Sequence, residues 1–276
     1  MRALCTVLLI VLLGGCSTVR FVYDNADTYL RWRAATYLDL DGAMADELDE
    51  RISAFMVWHR AQALPQYAQL ADEAAARFER KLAPADLDWG YDAVMAQVRE
   101  SLRAAAVQGA PLLDRLGPRE IANLEKRIAE DNRRFARDNL RGSERERRRR
   151  RTERNVERLE DWVGRLSQGQ RDRVAQYSER APLLDEFRAR DHKRIQGALL
   201  AILRAKEARK RLPELAANWD RDREPAYVAA LEASRKEYFA MALDIDRSLS
   251  GKQRERAVHE LHRYAEEFRT LTRERQ

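Results

Sequence analysis

The chain has 276 residues, of which 36% are charged and 45% hydrophobic, and its formal net charge is +6. Gly (11) and Pro (7) are scarce, which together with many Ala, Leu, Arg and Glu residues is typical of long amphipathic helices. No run of alternating Val, Ile, Thr or aromatic residues is present, so the pattern excludes a β-rich fold. The only cysteines are Cys5 and Cys16, which excludes disulfides and thiolate metal sites in the rest of the chain.

The first fifteen residues have the layout of a secretory signal. Arg2 precedes an apolar run from Leu4 to Leu13, which is shorter than the roughly 20 residues that a membrane-spanning helix needs. The run ends in Gly14-Gly15-Cys16, which looks like a lipobox. We therefore expect a signal peptide over residues 1–15, cut before Cys16, whose thiol then carries a diacylglycerol and whose amine carries a further acyl chain such as palmitate. The alternative is an ordinary signal with a chance cysteine.

The segment after the predicted cut gives an expected location. Several acyl chains on one residue anchor a protein stably to a membrane. Position 17 is Ser rather than Asp, so the resemblance to sorted lipoproteins points to the periplasmic face of the outer membrane, with other destinations left open. Residues 16–40 form the expected lipid-anchored segment. Its aromatic residues Tyr23, Tyr29, Trp32 and Tyr37 fit two interpretations, contact with the membrane interface or docking on the helical body.

Apolar residues recur along the chain at steps of three and four. Such stripes are single helix faces that must be buried, and their width of about two apolar residues per heptad favours elongated, coiled-coil-like packing. The expected fold is all-α: one helical domain over residues 41–276, built as an elongated helical bundle with kinked helices. The clearest stripes are Leu48, Ile52 and Phe55; Val156, Leu159, Val163 and Leu166; Tyr227, Leu231, Ser234, Tyr238 and Met241; and Ala257, Leu261, Tyr264, Phe268 and Leu271.

One short phrase marks the predicted helix starts. It consists of Leu, a small or polar residue, two variable residues and then an acidic or amide residue. Ser caps the first free amides, the acidic or amide side chain reaches back, and Pro is tolerated at the first helical position. We expect Pro65, Pro111, Pro182 and Pro213 to kink or break helices. The phrase occurs at residues 82–86, 116–120, 166–170 and 249–253, with a degenerate version at 40–42.

Several phrases of the chain resemble an uncharacterised family of proteobacterial lipoproteins, a domain of unknown function. They are Tyr29-Leu30-Arg31-Trp32, Tyr37-Leu38-Asp39-Leu40, Trp58-His59-Arg60 and Leu64-Pro65-Gln66-Tyr67, which follow the lipobox. The resemblance covers most of the mature chain and implies an all-α lipoprotein. Because it carries no established activity, it assigns no functional residues.

The Leu-Ser-x-x-Gln phrases at 166–170 and 249–253 are also similar to the Leu-Thr-x-x-Gln phrase of small periplasmic helical chaperones of the Spy type. The similarity covers a few residues per copy and departs at Thr. A capping box alone would produce the same phrase. A chaperone that binds unfolded clients is therefore one alternative function.

The largest charge imbalance lies between residues 141 and 158. This segment has nine arginines and four glutamates, a net charge of +5, while the chain without Arg2 has 51 basic and 46 acidic residues. We expect two antiparallel helices at about 118–140 and 144–166, joined near Gly142 and capped at Ser143, to form a protruding hairpin with the arginines at its tip. The candidate binding residues are Arg145, Arg147, Arg148, Arg149, Arg150, Arg151 and Arg154.

The planar donor fork of Arg suits phosphates and carboxylates. The expected partners are therefore an envelope protein, phospholipid head groups, lipopolysaccharide phosphates or acidic peptides of peptidoglycan. The export signal disfavours nucleic acid. The alternative is a solvated helix face held by Glu–Arg pairs four residues apart.

Two further groups of residues have binding chemistry. Trp58, His59 and Arg60 with Tyr67 would line a groove at Pro65, although core packing is the favoured interpretation of such a stripe. A site shared by His259 and His262 lacks the third ligand that metals usually need, so we expect no metal.

Recognisable catalytic motifs are missing from the sequence. It contains no Gly-rich phosphate loop, no nucleophile elbow and no cofactor motif. We therefore expect a non-enzymatic binding or scaffold protein of the outer membrane. A client-binding chaperone is the first alternative, and a lipoprotein enzyme with an unrecognised site is the second.

Overall fold

The computed structural model describes residues 18–274, and these residues are α-helical with no strand among them, which confirms the all-α prediction. The predicted signal peptide and Cys16 lie outside the described residues. The helices are α1 (Thr18–Asp24), α2 (Ala26–Leu38), α3 (Gly42–Trp58), a π-helical segment (His59–Ala63), α4 (Leu64–Phe78), α5 (Pro84–Leu113), α6 (Pro118–Asn139), α7 (Glu144–Val163), α8 (Gln168–Arg180), α9 (Asp185–Arg204), α10 (Ala208–Ala217), α11 (Pro225–Ser248) and α12 (Gly251–Arg273).

The recurring phrase does mark helix starts. Helices α5 and α6 begin at Pro84 and Pro118, and α8 and α12 begin one residue after Ser167 and Ser250. In both of the latter, the Ser hydroxyl accepts a hydrogen bond from the backbone amide three residues on, and the Gln side-chain oxygen accepts one from the Ser backbone amide. Ser143 caps α7 in the same way, with Glu146 as its partner. Local capping chemistry therefore sets these boundaries.

The prolines are accommodated in different ways. Pro182 lies between α8 and α9, whereas Pro111 and Pro213 lie within helices. Just before Pro65, the amide of Leu64 bonds the carbonyl of His59 five residues back, which widens the helix into a π turn. A wider turn makes room for the proline ring, which would otherwise meet the preceding turn. Kinks at these positions stay a prediction.

The contacts among the described residues group into two compact units. Unit 1 comprises residues 18–65, 96–137 and 189–222, and unit 2 comprises 66–95, 138–188 and 223–274. The two arms of the expected hairpin are therefore assigned to different units, with residues 118–137 in unit 1 and 144–163 in unit 2. The protruding hairpin at 118–166 and the single domain over 41–276 stay predictions.

Unit 1 has its own hydrophobic core. Helices α2, α5, α6, α9 and α10 contribute to it, and small alanines of α5 allow close approach of neighbouring helices. The buried members are Leu38, Ala106, Ala110, Leu116, Ile121, Leu124, Ile202, Leu203, Ala208 and Leu212.

Unit 2 contains a second core, formed by α7, α8, α11 and α12. Helix α7 packs against both α8 and α12, and α8 packs against α11. The core is therefore built from two consecutive helix pairs, each joined through a Leu-Ser-x-x-Gln phrase. Its buried members are Val163, Leu166, Val174, Tyr177, Ala181, Met241, Ile245 and Ala257.

Candidate functional site

The arginine-rich stretch forms the first half of α7 in unit 2. Its second half is anchored, because Val156 and Leu159 pack against the core and Val163 is buried in it. Steps of three and four extend this stripe backwards through Thr152 to Arg149 and Arg145, both of which are exposed. The face of α7 that packs in the core at its second half thus continues, towards the start of the helix, with exposed arginines.

Arg148 and Arg151 cap the end of α8. Nη1 of Arg148 donates to the carbonyl oxygens of Ser178 at 2.9 Å and Ala181 at 3.1 Å. Nη1 and Nη2 of Arg151 donate to the carbonyls of Pro182 at 2.7 Å and Ala181 at 2.8 Å. The last carbonyls of a helix lack partners within the helix and carry its negative dipole end, so two guanidinium groups complement them well.

Arg147 is the third docked arginine. Its side chain is mostly buried and pairs with Glu186 at 3.3 Å. The ring of Tyr177 lies 5.4 Å from the guanidinium carbon of Arg151, and burial lowers the pKa of Arg151 from its usual value. Arg148 and Arg151 are therefore supported by the end of α8, and Arg147 by Glu186 at the start of α9.

A second group, the outer arginines Arg145, Arg149 and Arg154, is exposed. The side chain of Arg149 is 75% exposed and pairs with Glu153 at 3.5 Å. Arg145 and Arg154 form no ion pair within residues 18–274. Their charges are therefore open to an external anion.

Three further arginines complete the segment, of which Arg141 at its start is exposed. Arg150 is half-buried and donates to the carbonyl of Arg141 at 2.8 Å. Arg158, which the sequence candidates left out, is exposed one turn after Arg154. Its spacing of four residues from Arg154 is the signal that would have identified it.

The predicted groove residues Trp58, His59 and Arg60 lie in unit 1 at the start of the π segment. The hydroxyl of Tyr23 lies 3.0 Å from Nδ1 of His59, and the rings of Trp58 and His59 are 6.3 Å apart. The guanidinium carbon of Arg60 lies 4.9 Å from the centre of the Tyr23 ring. These contacts join α1 to the start of the π segment.

The electrostatic state of His59 follows from this packing. Loss of water around the ring and, to a lesser extent, the nearby charge of Arg60 together lower the pKa of His59 to about 4. The imidazole is thus neutral at pH 7. The fourth groove residue, Tyr67, belongs to unit 2, where its ring packs edge-on against Phe268 at 5.7 Å. The groove itself stays a prediction.

The two Leu-Ser-x-x-Gln phrases lie together in unit 2. The amide of Gln170 donates to Oε1 of Gln253 at 3.2 Å, and the amide of Gln253 donates to Oε1 of Gln170 at 3.1 Å. Gln170 also donates to the carbonyl of Ser248, and Gln253 to that of Arg165. The glutamines therefore cap their own helices and join the two helix pairs.

Residues 18–274 hold no cluster of three or more His, Cys, Asp or Glu side chains suited to a metal ion. His262 instead lies 3.3 Å from a carboxylate oxygen of Asp72. No helix in the described part of the chain is long and apolar enough to cross a membrane.

Comparison with known proteins identifies a family. The model of a family of unknown function, DUF6279, matches residues 36–227, which include the arginine segment and the predicted groove residues. No curated protein and no solved structure matches the chain.

Proposed function

Since the chain belongs to DUF6279, a family of unknown function, we propose from its own residues that it is a non-enzymatic, lipid-anchored protein of the outer membrane. In this proposal, acyl chains on Cys16 hold the protein at the periplasmic face. The supporting features are the short apolar run and the Gly14-Gly15-Cys16 sequence that follows it. The helical body then meets the other components of the envelope.

We further propose that the outer arginines bind an anionic group of an envelope component or partner protein. The observation that carries this proposal is the exposure of Arg145, Arg149 and Arg154, two of which have no ion pair within residues 18–274. The docked arginines hold the same helix in place, so the free guanidinium groups are presented from an ordered element. Arginine forks bind phosphate and carboxylate oxygens in two-point contacts.

Photo-crosslinking in the cell tests this proposal. A photoreactive residue replaces Arg149 in the full lipoprotein, expressed at its natural level. Arg149 is chosen over Arg148 because replacing Arg148 would remove hydrogen bonds to the end of α8. The matched control carries the same residue at Arg133, an exposed arginine on α6.

The products distinguish the sources of the anion. One discrete protein band from position 149 and not from 133 supports a partner protein. Crosslinks to lipid or glycan support a phospholipid, lipopolysaccharide or peptidoglycan anion. A smear of many proteins supports the chaperone alternative instead. If position 149 gives no product that position 133 does not also give, the proposal is contradicted. These arginines would then form only a solvated helix end.

The chaperone alternative gains no specific support from the Leu-Ser-x-x-Gln phrases. Their Ser and Gln side chains are engaged in capping and in the reciprocal bonds of Gln170 and Gln253. Capping chemistry thus accounts for the phrase that carries the Spy-type resemblance.

A further inference from the structure

An exposed face rich in aromatic side chains runs along the helices that follow the predicted lipid anchor. Helices α1 and α2 are nearly continuous, because the amide of Asn25 bonds the carbonyl of Phe21 and the amide of Tyr29 bonds that of Asn25. Helical spacing therefore carries through the junction, and side chains three and four residues apart share a face. The exposed members of this face, here called the aromatic face, are Phe21, Asp24, Asn25, Thr28, Tyr29, Trp32 and Ala35, with Asp24 at one edge.

Large aromatic side chains dominate the aromatic face. Phe21 is 68%, Tyr29 37% and Trp32 59% exposed, and the rings of Tyr29 and Trp32 are 5.9 Å apart. Asp24, at one edge, is the one acidic side chain among these exposed members and none is basic, whereas 36% of the whole chain is charged. Exposed aromatic side chains gathered on one helix face point to a surface that meets a partner.

The opposite side of the same helices is fixed to the body of unit 1. Tyr23 and Ala26 are buried, and Arg31 of α2 pairs with Asp49 at 3.2 Å and bonds Ser53 at 2.8 Å, both on α3. These contacts fix the direction in which Phe21, Tyr29 and Trp32 point. The helices that carry the aromatic face are therefore anchored to the rest of unit 1, so its side chains form one ordered surface.

We propose that the aromatic face lies in the head-group region of the lipid bilayer that holds Cys16. This inference rests on the lipid anchor of the proposed function. Two residue steps separate Cys16 from the start of α1, at most about 7 Å of extended chain. Phe21 is three helical residues further, about 4.5 Å along the axis. The anchor therefore keeps the aromatic face at the lipid surface.

The composition of the aromatic face fits that surface. Trp and Tyr are favoured at membrane interfaces because each ring is apolar and has one polar group that reaches water. Asn25 and Thr28 are polar and uncharged, so they do not oppose entry among the head groups, and Asp24 lies at the edge of the face, where its carboxyl group can stay in water. Because the acyl anchor makes docking intramolecular, a weak interfacial preference is sufficient for lasting contact.

Spin-label accessibility tests the inference on the full acylated lipoprotein in vesicles of phosphatidylethanolamine and phosphatidylglycerol. The thiol of Cys16 is blocked by its lipid, so Ala35→Cys adds one reactive thiol on the aromatic face. Ala229→Cys, another exposed alanine, is the matched control. We expect the ratio of oxygen to aqueous nickel accessibility to be several-fold higher at position 35 than at position 229.

A second variant shows whether the aromatic rings cause this difference. In the Ala35→Cys background, Phe21→Ser, Tyr29→Ser and Trp32→Ser together should lower the ratio to that of Ala229→Cys. These side chains are exposed, so circular dichroism should show an unchanged helical fold. An unchanged high ratio with the three serines would overturn the role of the rings.

The remaining outcomes separate this inference from the proposed anchor. In the first outcome, the protein is acylated, as judged by its intact mass, and yet position 35 is as open to nickel as position 229. That result overturns the docking and leaves the anchor in place. A label that is immobile and closed to both reagents overturns it in favour of a protein partner. An intact mass without acyl chains overturns the anchor and, with it, the inference.

Discussion

Arg148 and Arg151 show how one residue type serves two purposes within a single run. Both donate to the carbonyls that end α8, whereas Arg149 between them is exposed. We predict that Arg151→Ala lowers the free energy of unfolding by about 2 kcal/mol, because it removes hydrogen bonds from a charged donor to buried acceptors. Urea denaturation measures the change.

Arg149→Ala is the matched control for this prediction. Its side chain is 75% exposed, and substitutions at such positions change stability by about 0.5 kcal/mol or less. Equal effects of Arg149→Ala and Arg151→Ala on the urea midpoint would show that Arg151 does not stabilise the end of α8.

His59 makes stability depend on pH. Its pKa is about 4 in the folded protein and about 6.5 in the unfolded chain, so the unfolded chain binds the proton more readily between these values. Stability from this residue is therefore present above pH 6.5 and is lost as the pH falls towards 4, with a loss of at most about 3 kcal/mol. The partial exposure of the ring makes the expected loss smaller.

The variant His59→Gln isolates this contribution. Gln does not titrate and keeps a polar partner near the Tyr23 hydroxyl. Urea unfolding at pH 7.5 and pH 4.5 should show a smaller loss of stability in the variant than in the wild type. His262→Gln is the control, since His262 is exposed, and it should retain the wild-type loss. If His59→Gln loses as much stability between pH 7.5 and pH 4.5 as the wild type, His59 is not the source of the pH dependence.

Residue roles could be predicted from the sequence only where the pattern was local. The stripe of Leu48, Ile52 and Phe55 placed His59 at a core position, and its packing against Phe55 and Tyr23 agrees with that interpretation. The division of the arginines could not be predicted. It depends on the end of α8, about thirty residues further along, and a run of identical residues contains no information about that contact.

At the scale of helices, the junction of Gln170 and Gln253 holds the two helix pairs of unit 2 together. Each glutamine donates to the other and also caps its own helix. We predict that Gln170→Ala and Gln253→Ala each lower stability, and that the double variant shows a coupling of about 1 kcal/mol between the two sites. Chemical denaturation of the four proteins measures it.

The serine caps provide a control for this double-mutant cycle. Ser167→Ala and Ser250→Ala each remove one cap hydrogen bond and should cost about 1 kcal/mol. The two serines cap separate helices, so we expect their effects to be nearly additive. Strictly additive effects of Gln170→Ala and Gln253→Ala would contradict the proposed junction.

Helix boundaries were predictable because capping is local. The phrase at Pro84, Pro118, Ser167 and Ser250 places the polar groups that the first free amides need, and the helices begin there. The π segment at His59–Ala63 was not predicted. A π turn has the residue preferences of an ordinary helix, and only the position of Pro65 indicated that this turn needed more room.

At the scale of the whole molecule, the helical class followed from composition, but the grouping into two units did not. Each unit is assembled from three separate stretches of the chain. Amphipathic stripes show that a helix must be buried, but they do not show which of several similar helices will cover it. The sequence therefore predicted α-helices and left their pairing open.

The charge of the whole chain leads to a final prediction, because the segment at 141–158 alone accounts for a net charge of +5. We compare two triple variants that remove the same charge. The first combines Arg145→Ser, Arg149→Ser and Arg154→Ser, and the second combines Arg133→Ser, Arg134→Ser and Arg180→Ser, all at exposed positions. The measurement is binding of the lipoprotein, held in neutral lipid nanodiscs, to lipopolysaccharide and to purified peptidoglycan at several salt concentrations.

If the outer arginines form the anion contact, the first triple variant should weaken binding at least about tenfold, since each arginine near an anionic surface contributes about 1 kcal/mol. The second triple variant should change it little, and the difference should shrink with added salt because salt screens exposed charges. Equal weakening by both variants would mean that net charge, rather than this helix, attracts the anion. That result would contradict a site at Arg145, Arg149 and Arg154 even if the protein binds the envelope.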